Sequence, residues 1–117
     1  MTERRKLIRR HLRSYLRIHN AATSEFIGLL VDITPKGIMI LSKDSIPVGR
    51  YLRVAITLPA SMTPPKELVM DVVSVWVGED RIRPEEFNIG FRIVHSDDML
   101  EQSILKLIDA LGLRVTR

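Results

Sequence analysis

The chain of 117 residues is long enough for one domain with a buried core, and its 45% apolar and 27% charged residues are ordinary for a soluble globular protein. It contains no cysteine, which excludes a disulfide framework and a cysteine-ligated metal site, and no apolar stretch is long enough to span a bilayer, so we expect a cytoplasmic protein without membrane insertion. The formal net charge of +4 makes an anion the expected class of ligand.

The positive charge is concentrated at the N-terminus. Residues 1–20 contain six arginines and one lysine against one glutamate, which gives +6 and leaves −2 for the other 97 residues. We call residues 1–13 the basic arm. A segment of this kind predicts binding to nucleic acid, anionic lipid or a phosphorylated small molecule.

Six β-type segments follow the arm, with turn residues between them and no helical pattern. They are residues 14–20, 25–34, 37–42, 50–59, 66–78 and 87–95. In residues 50–59 the apolar side chains alternate with polar ones, which is typical of a half-buried strand, and the valine-rich residues 66–78 also favour a strand. This succession predicts an all-β domain, an antiparallel barrel or sandwich.

The C-terminal segment, residues 96–112, has the pattern of a helix. Asp98 stands three residues before Glu101, the spacing of a capping box, and Gly112 marks the end. Its apolar residues fall on one face and predict a helix packed on the β-domain: Leu100, Ile104, Leu107, Ile108 and Leu111. We therefore expect one folded domain over residues 14–117, preceded by the basic arm.

The sequence gives little support for catalysis. The three histidines, His11, His19 and His95, have no metal-ligand spacing to one another or to acidic residues, and neither a zinc-protease motif nor a glycine-rich phosphate loop is present. We predict a protein that is not an enzyme and that has no metal or cofactor.

Arginines in the arm and polar residues at one turn suggest guanine recognition. Arginine forms paired hydrogen bonds to phosphate or to the O6/N7 edge of guanine, and a carboxylate accepts from the N1–H and N2–H₂ donors of the same base. Asp32 and Thr34 in "VDITPKG" supply a carboxylate and a hydroxyl between two apolar runs. The alternative is a turn in which both side chains bond their own backbone.

Two of these stretches together resemble a known signature. "ERRKLIR" (3–9) and "DITPKG" (32–37) are similar to the RxxxR and [D/N]xSxxG halves of PilZ domains, bacterial receptors for cyclic di-GMP. "VSVWV" (73–77) and "NIGFRI" (88–93) also resemble strands of these domains. The resemblance extends over nearly the whole chain and implies a six-stranded antiparallel barrel followed by a C-terminal helix.

The resemblance implies a set of ligand-binding residues. Arg5 and Arg9 form the preferred RxxxR pair, although Arg9/Arg13 and Arg13/Arg17 also fit the spacing. The residues implied as ligand contacts are Arg4, Arg5, Arg9, Arg10, Asp32, Thr34 and Gly37, with Arg13 as the substitute arginine.

Three of these residues carry more specific expectations. Thr34 replaces the usual serine and keeps its hydroxyl. Gly37 suits a position with positive φ or a close approach of ligand. Trp76 is either a stacking face for guanine or a residue of the barrel core or helix contact.

The implied function is a non-catalytic receptor that binds cyclic di-GMP, orders its arm on binding and passes the signal to a protein partner. Two alternatives remain open. One is a PilZ-like interaction module that no longer binds nucleotide. The other is a small nucleic-acid-binding barrel, which the small number of aromatic residues disfavours.

Overall fold

The polypeptide closes into a six-stranded antiparallel barrel followed by one helix, which confirms the predicted fold. The computed structural model describes residues 15–62 and 64–112, so the predicted basic arm lies outside the described residues. The elements are β1 (Arg17–Asn20), β2 (Phe26–Thr34), β3 (Gly37–Ser42), β4 (Tyr51–Thr57), a 3₁₀ turn (Ala60–Met62), β5 (Glu67–Glu79), β6 (Phe87–Val94) and α1 (Asp98–Leu111). The strands pair in the order β1-β2-β3-β6-β5-β4, and β4 returns to β1.

The interior of the barrel is filled by alternate residues of every strand. Its fully buried members include Ile18, Leu30, Ile40, Ile56, Val72 and Ile89. Helix α1 adds Ile104, Leu107 and Ile108 to the same core, which confirms the predicted apolar face. Because α1 packs on β2 and on the 3₁₀ turn after β4, it closes the barrel end where β2, β4 and β6 finish.

The start of α1 differs from the prediction by one residue. The N-cap is Asp97, whose Oδ1 accepts a hydrogen bond of 2.8 Å from the amide of Leu100. The expected capping box of Asp98 and Glu101 is therefore wrong: Asp98 already lies in the helix, while Asp97 has the extended backbone that an N-cap requires. The predicted C-cap is confirmed, since Gly112 has φ 74°.

Three β-bulges interrupt the pairing of the described strands: one lies at Ile27, between β1 and β2, and the other two decide which residues near the β2–β3 turn and on β5 face outward. In β2, Leu30 pairs with Ile40 and Asp32 with Met39, so Val31 is an extra residue. In β5, Val75 is extra in the same way, between Ser74 and Trp76. Strict alternation from the buried Leu30 would turn Asp32 inward, and the bulge brings it to the outer face instead.

Within residues 15–62 and 64–112, no helix has the length and apolar character needed to cross a membrane.

Candidate functional site

One row of residues crosses four strands on the outside of the barrel. The pairing places Asp32 of β2 beside Met39 of β3, Met39 beside Gly90 of β6, and Gly90 beside Trp76 of β5. Directly opposed residues of antiparallel strands point to the same face. We call these four residues the outer row, and it brings together Asp32 and Trp76, which lie 44 positions apart in the sequence.

A second row runs beside the first, nearer the end closed by α1. It consists of Thr34, Gly37 and Arg92, aligned across β2, β3 and β6. The Arg92 side chain is exposed and lies between the buried Phe91 and Ile93. The sequence interpretation missed Arg92, because alternation in "GFRI" shows that it faces out but not which strand lies beside it.

The turn between β2 and β3 is held by the side chains of the motif itself. Oδ1 of Asp32 accepts from the amide of Ile33 at 2.9 Å. Oγ1 of Thr34 accepts from the amides of Lys36 and Gly37, both at 3.2 Å. Both side chains therefore bond the backbone of their own turn, as the alternative interpretation of the sequence predicted. Neither bond of Thr34 uses its hydroxyl proton, which remains able to point toward an acceptor.

Glycine is required at position 37 by the neighbouring strand β6. Among the described glycines, the positive φ values belong to Gly49 and Gly112, so the expectation of a left-handed backbone at Gly37 is wrong. A Cβ at position 37 would run into the carbonyl oxygen of Phe91 on β6. The close approach is that of a neighbouring strand, and glycine lets β3 and β6 pair at this corner.

Trp76 lies on the outside of the barrel with 44% of its surface exposed. The alternative that placed it in the core is wrong, and α1 packs instead mainly on β2 and the 3₁₀ turn. Its indole ring covers Gly90, since a Cβ there would overlap Nε1, Cε2 and Cδ1 of the ring. One face of the ring therefore rests on β6, and part of the ring is exposed to solvent.

The chain enters the barrel beside the motif. Leu16, just before β1, accepts a hydrogen bond of 2.8 Å from the amide of Leu30 on β2, two positions before Asp32. The predicted arginines of the arm lie outside the described residues; these are Arg4, Arg5, Arg9, Arg10 and Arg13. Their point of attachment adjoins the strand that carries Asp32 and Thr34.

Arg17 is engaged elsewhere. Its guanidinium lies 4.2 Å from the ring centroid of Phe26, a cation–π contact. Phe26 is the first residue of β2 and Thr34 the last, roughly 26 Å apart along the strand. The guanidinium of Arg17 therefore contacts β2 at the end opposite to Thr34.

The described residues form clefts away from the outer row. Two shallow clefts of about 390 and 440 Å³ share Arg53, Asp71 and His95, and neither is lined by a residue of the outer row. Arg53 donates two hydrogen bonds of 2.7 and 3.2 Å to the carboxylate of Asp71. These bonds are the main reason why the pKa of Asp71 lies below its usual value. Among the residues described, no group of three histidine, aspartate or glutamate side chains is arranged to hold a metal ion.

Solved structures share this fold. The structure of the Bacillus subtilis inhibitor of motility, MotI/DgrA, aligns with a TM-score of 0.62 and 22% identity over 86% of this chain and 49% of that one. The crystal structure of YcgR from Escherichia coli in complex with cyclic di-GMP aligns with a TM-score of 0.63 and 17% identity over 84% of this chain and 41% of that one. The chain thus spans about half the length of these proteins or less.

A sequence model of one family also matches the chain. Among curated proteins no sequence matches it significantly. The model of the PilZ domain matches residues 3–110, which include both halves of the signature and every strand of the barrel. PilZ domains are non-catalytic, in line with the prediction that the chain is not an enzyme. The chain therefore belongs to the PilZ domain family.

Proposed function

We propose that this domain is a receptor for cyclic di-GMP, which binds on the outer row beneath the basic arm. The observation that carries the proposal is the pairing of the strands, which sets Asp32, Thr34 and Trp76 on one outer face. The arm joins the barrel beside this face, at Leu16. Family membership and the cyclic di-GMP bound to the similar YcgR support the choice of ligand.

The chemistry of the face suits a guanine nucleotide. The Asp32 carboxylate repels phosphate, so it faces the N1–H and N2–H₂ donors of a guanine base. The Thr34 hydroxyl donates its proton to a phosphate oxygen. The open face of Trp76 stacks against a base, and such a contact is worth ~1–3 kcal/mol.

The arm supplies the positive charge that the ligand phosphates need. Arg5 and Arg9 clamp phosphates and guanine edges, Arg4 and Arg10 assist, and Arg13 replaces Arg9 if the register is shifted. The arm covers the ligand on its solvent side and so buries it. The arm that covers the ligand is then the surface that a protein partner meets.

The expected affinity follows from these contacts. Three or four charge-assisted hydrogen bonds contribute about 5–12 kcal/mol, and ordering the arm costs about 2–5 kcal/mol. With base stacking the net is close to 8 kcal/mol, which corresponds to a dissociation constant of about 1 μM.

One observation favours a second candidate, a PilZ adaptor that acts without nucleotide. Asp32 and Thr34 already bond the backbone of their own turn, so the turn keeps its shape without a ligand. In that case the same outer face contacts a protein directly.

Isothermal titration calorimetry with cyclic di-GMP tests the proposal. We expect saturable micromolar binding by the wild-type chain, loss of at least tenfold in affinity for Arg9→Ala and for Asp32→Ala, and no change for Arg81→Ala, an exposed arginine outside the site. Cyclic di-AMP serves as the control ligand, because adenine has no N1–H donor for Asp32. A folded wild-type chain that gives no heat with 200 μM cyclic di-GMP (about 200 times the expected dissociation constant) would refute the receptor and leave the adaptor.

A further inference from the structure

We propose that Gly90 is a positioning residue for ligand binding. Because Gly90 has no side chain, the Trp76 indole lies flat on β6 with its other face toward the ligand. We call this contact between Gly90 and the indole the seat. The ligand part of this inference rests on the proposed function. The seat itself is a property of the barrel.

Gly90 and the indole of Trp76 are in very close contact. A Cβ built on Gly90 would overlap three atoms of the five-membered ring of Trp76, namely Nε1, Cε2 and Cδ1. Three neighbouring ring atoms can all overlap one Cβ position only when that position lies over the face of the ring and not at its edge. The indole therefore rests directly on the backbone of the neighbouring strand, and Gly90 is buried although its strand position faces outward.

A glycine inside a strand is otherwise unfavourable. It has no side chain to pack against cross-strand neighbours, and its usual justification is the close approach of another group. The other positions of the outer row carry side chains, and Gly90 is the gap between Met39 and Trp76. The indole fills this gap, which explains why β6 carries a glycine here.

The seat determines where the stacking surface lies. The Nε1 edge of the ring lies above Gly90, about two strand spacings from Asp32, or ~10 Å across the sheet. Asp32 then holds one part of the ligand by its edge while the ring supports a base by its face. Any side chain at position 90 lifts the ring and removes this surface without touching the ligand.

Four variants isolate the effect: Gly90→Ala, Trp76→Ala, the double variant, and Gly78→Ala as the matched control. Gly78 lies two residues after Trp76 on β5, and a Cβ there meets nothing within 4 Å. In calorimetry with cyclic di-GMP we expect Gly90→Ala and Trp76→Ala each to weaken binding about tenfold. The double variant binds no more weakly than Trp76→Ala, and Gly78→Ala binds like the wild type.

A second readout needs no ligand. Trp76 is the only tryptophan, so acrylamide quenching of its fluorescence reports how much of the ring is open. We expect Gly90→Ala to raise the quenching constant as the covered face becomes open, and Gly78→Ala to leave it unchanged. If cyclic di-GMP fails to bind even the wild type, this result still decides the seat separately from the proposed function.

Each remaining outcome bears on the inference. An unchanged quenching constant in Gly90→Ala overturns the seat. If Gly90→Ala alters quenching but binds cyclic di-GMP with wild-type affinity, the role of the seat in binding is overturned. That role is also overturned if the double variant binds much more weakly than Trp76→Ala, because Gly90 would then affect binding independently of Trp76. If Gly90→Ala does not fold while the double variant does, the clash with the indole is demonstrated by the rescue.

Discussion

Substitutions of Thr34 separate its role in the turn from its role in binding. Thr34→Ala removes the oxygen that accepts the amides of Lys36 and Gly37. Both bonds are 3.2 Å long, at the far end of the usual range, so each is worth about 0.5 kcal/mol. We expect the free energy of unfolding, measured by urea titration, to fall by about 1 kcal/mol.

The effect on binding is larger than the effect on stability. The hydrogen bond from a hydroxyl to a charged phosphate oxygen is worth ~1.5–3 kcal/mol, so Thr34→Ala raises the dissociation constant for cyclic di-GMP roughly 10- to 150-fold. Thr34→Val keeps the volume without the hydroxyl and is expected to bind as weakly. Thr34→Ser keeps the hydroxyl and is expected to bind like the wild type in calorimetry.

Two results would contradict this reasoning. Wild-type affinity in Thr34→Val would show that the hydroxyl proton makes no bond to the ligand. Binding by Thr34→Ser more than tenfold tighter than the wild type would show that the Thr34 methyl group obstructs the ligand.

Three further predictions concern the frame around the site. Asp97→Ala removes the helix cap and lowers the free energy of unfolding by about 1 kcal/mol in urea titration, whereas Asp98→Ala changes it by much less. Leu107→Ala leaves a cavity where α1 meets the barrel and costs ~2–5 kcal/mol in the same assay; a smaller loss would mean that α1 does not close the core. The pKa of Asp80 is lowered, mainly because Asn88 donates a hydrogen bond to its carboxylate. The ionised carboxylate therefore stabilises the loop fully at any pH above the usual pKa of 3.8, and this stabilisation is lost as the pH falls through the lowered pKa. The protection of the loop amides against exchange, measured by NMR relative to their intrinsic exchange rate at each pH, should fall below that pH and stay constant above it.

The strands and the helix could be predicted because their signals are local. Alternation marked residues 50–59 as a strand, and the structure has β4 at Tyr51–Thr57. The helix followed from the spacing of Ile104, Leu107 and Ile108. Its cap was misplaced because Asp97 and Asp98 are the same residue type, and only backbone geometry shows which of them precedes the first turn.

The site could be predicted only in part, because its geometry depends on strands that are distant in sequence. Asp32 and Thr34 belong to one turn and were found by their motif. Trp76 and Arg92 join them through the pairing of β3 with β6, which no local pattern reveals. The reason for Gly37 was likewise hidden, since the atom that excludes a side chain belongs to Phe91.

The bulges have a consequence for how the chain tolerates changes in length. Val31 and Val75 are extra residues, and the chain on either side of each is already in phase with its partner strand. Losing one residue at either point therefore leaves every side chain on its present face, and the same holds at Ile27, the extra residue of β2 opposite β1. Losing a residue at another position of β2 or β5 moves the remaining side chains of that strand to the opposite face. Single-residue gaps in comparisons with other barrels of this kind belong at bulge positions such as these. A gap there alters the local twist with which Asp32 and Trp76 are presented, while keeping both on the outside.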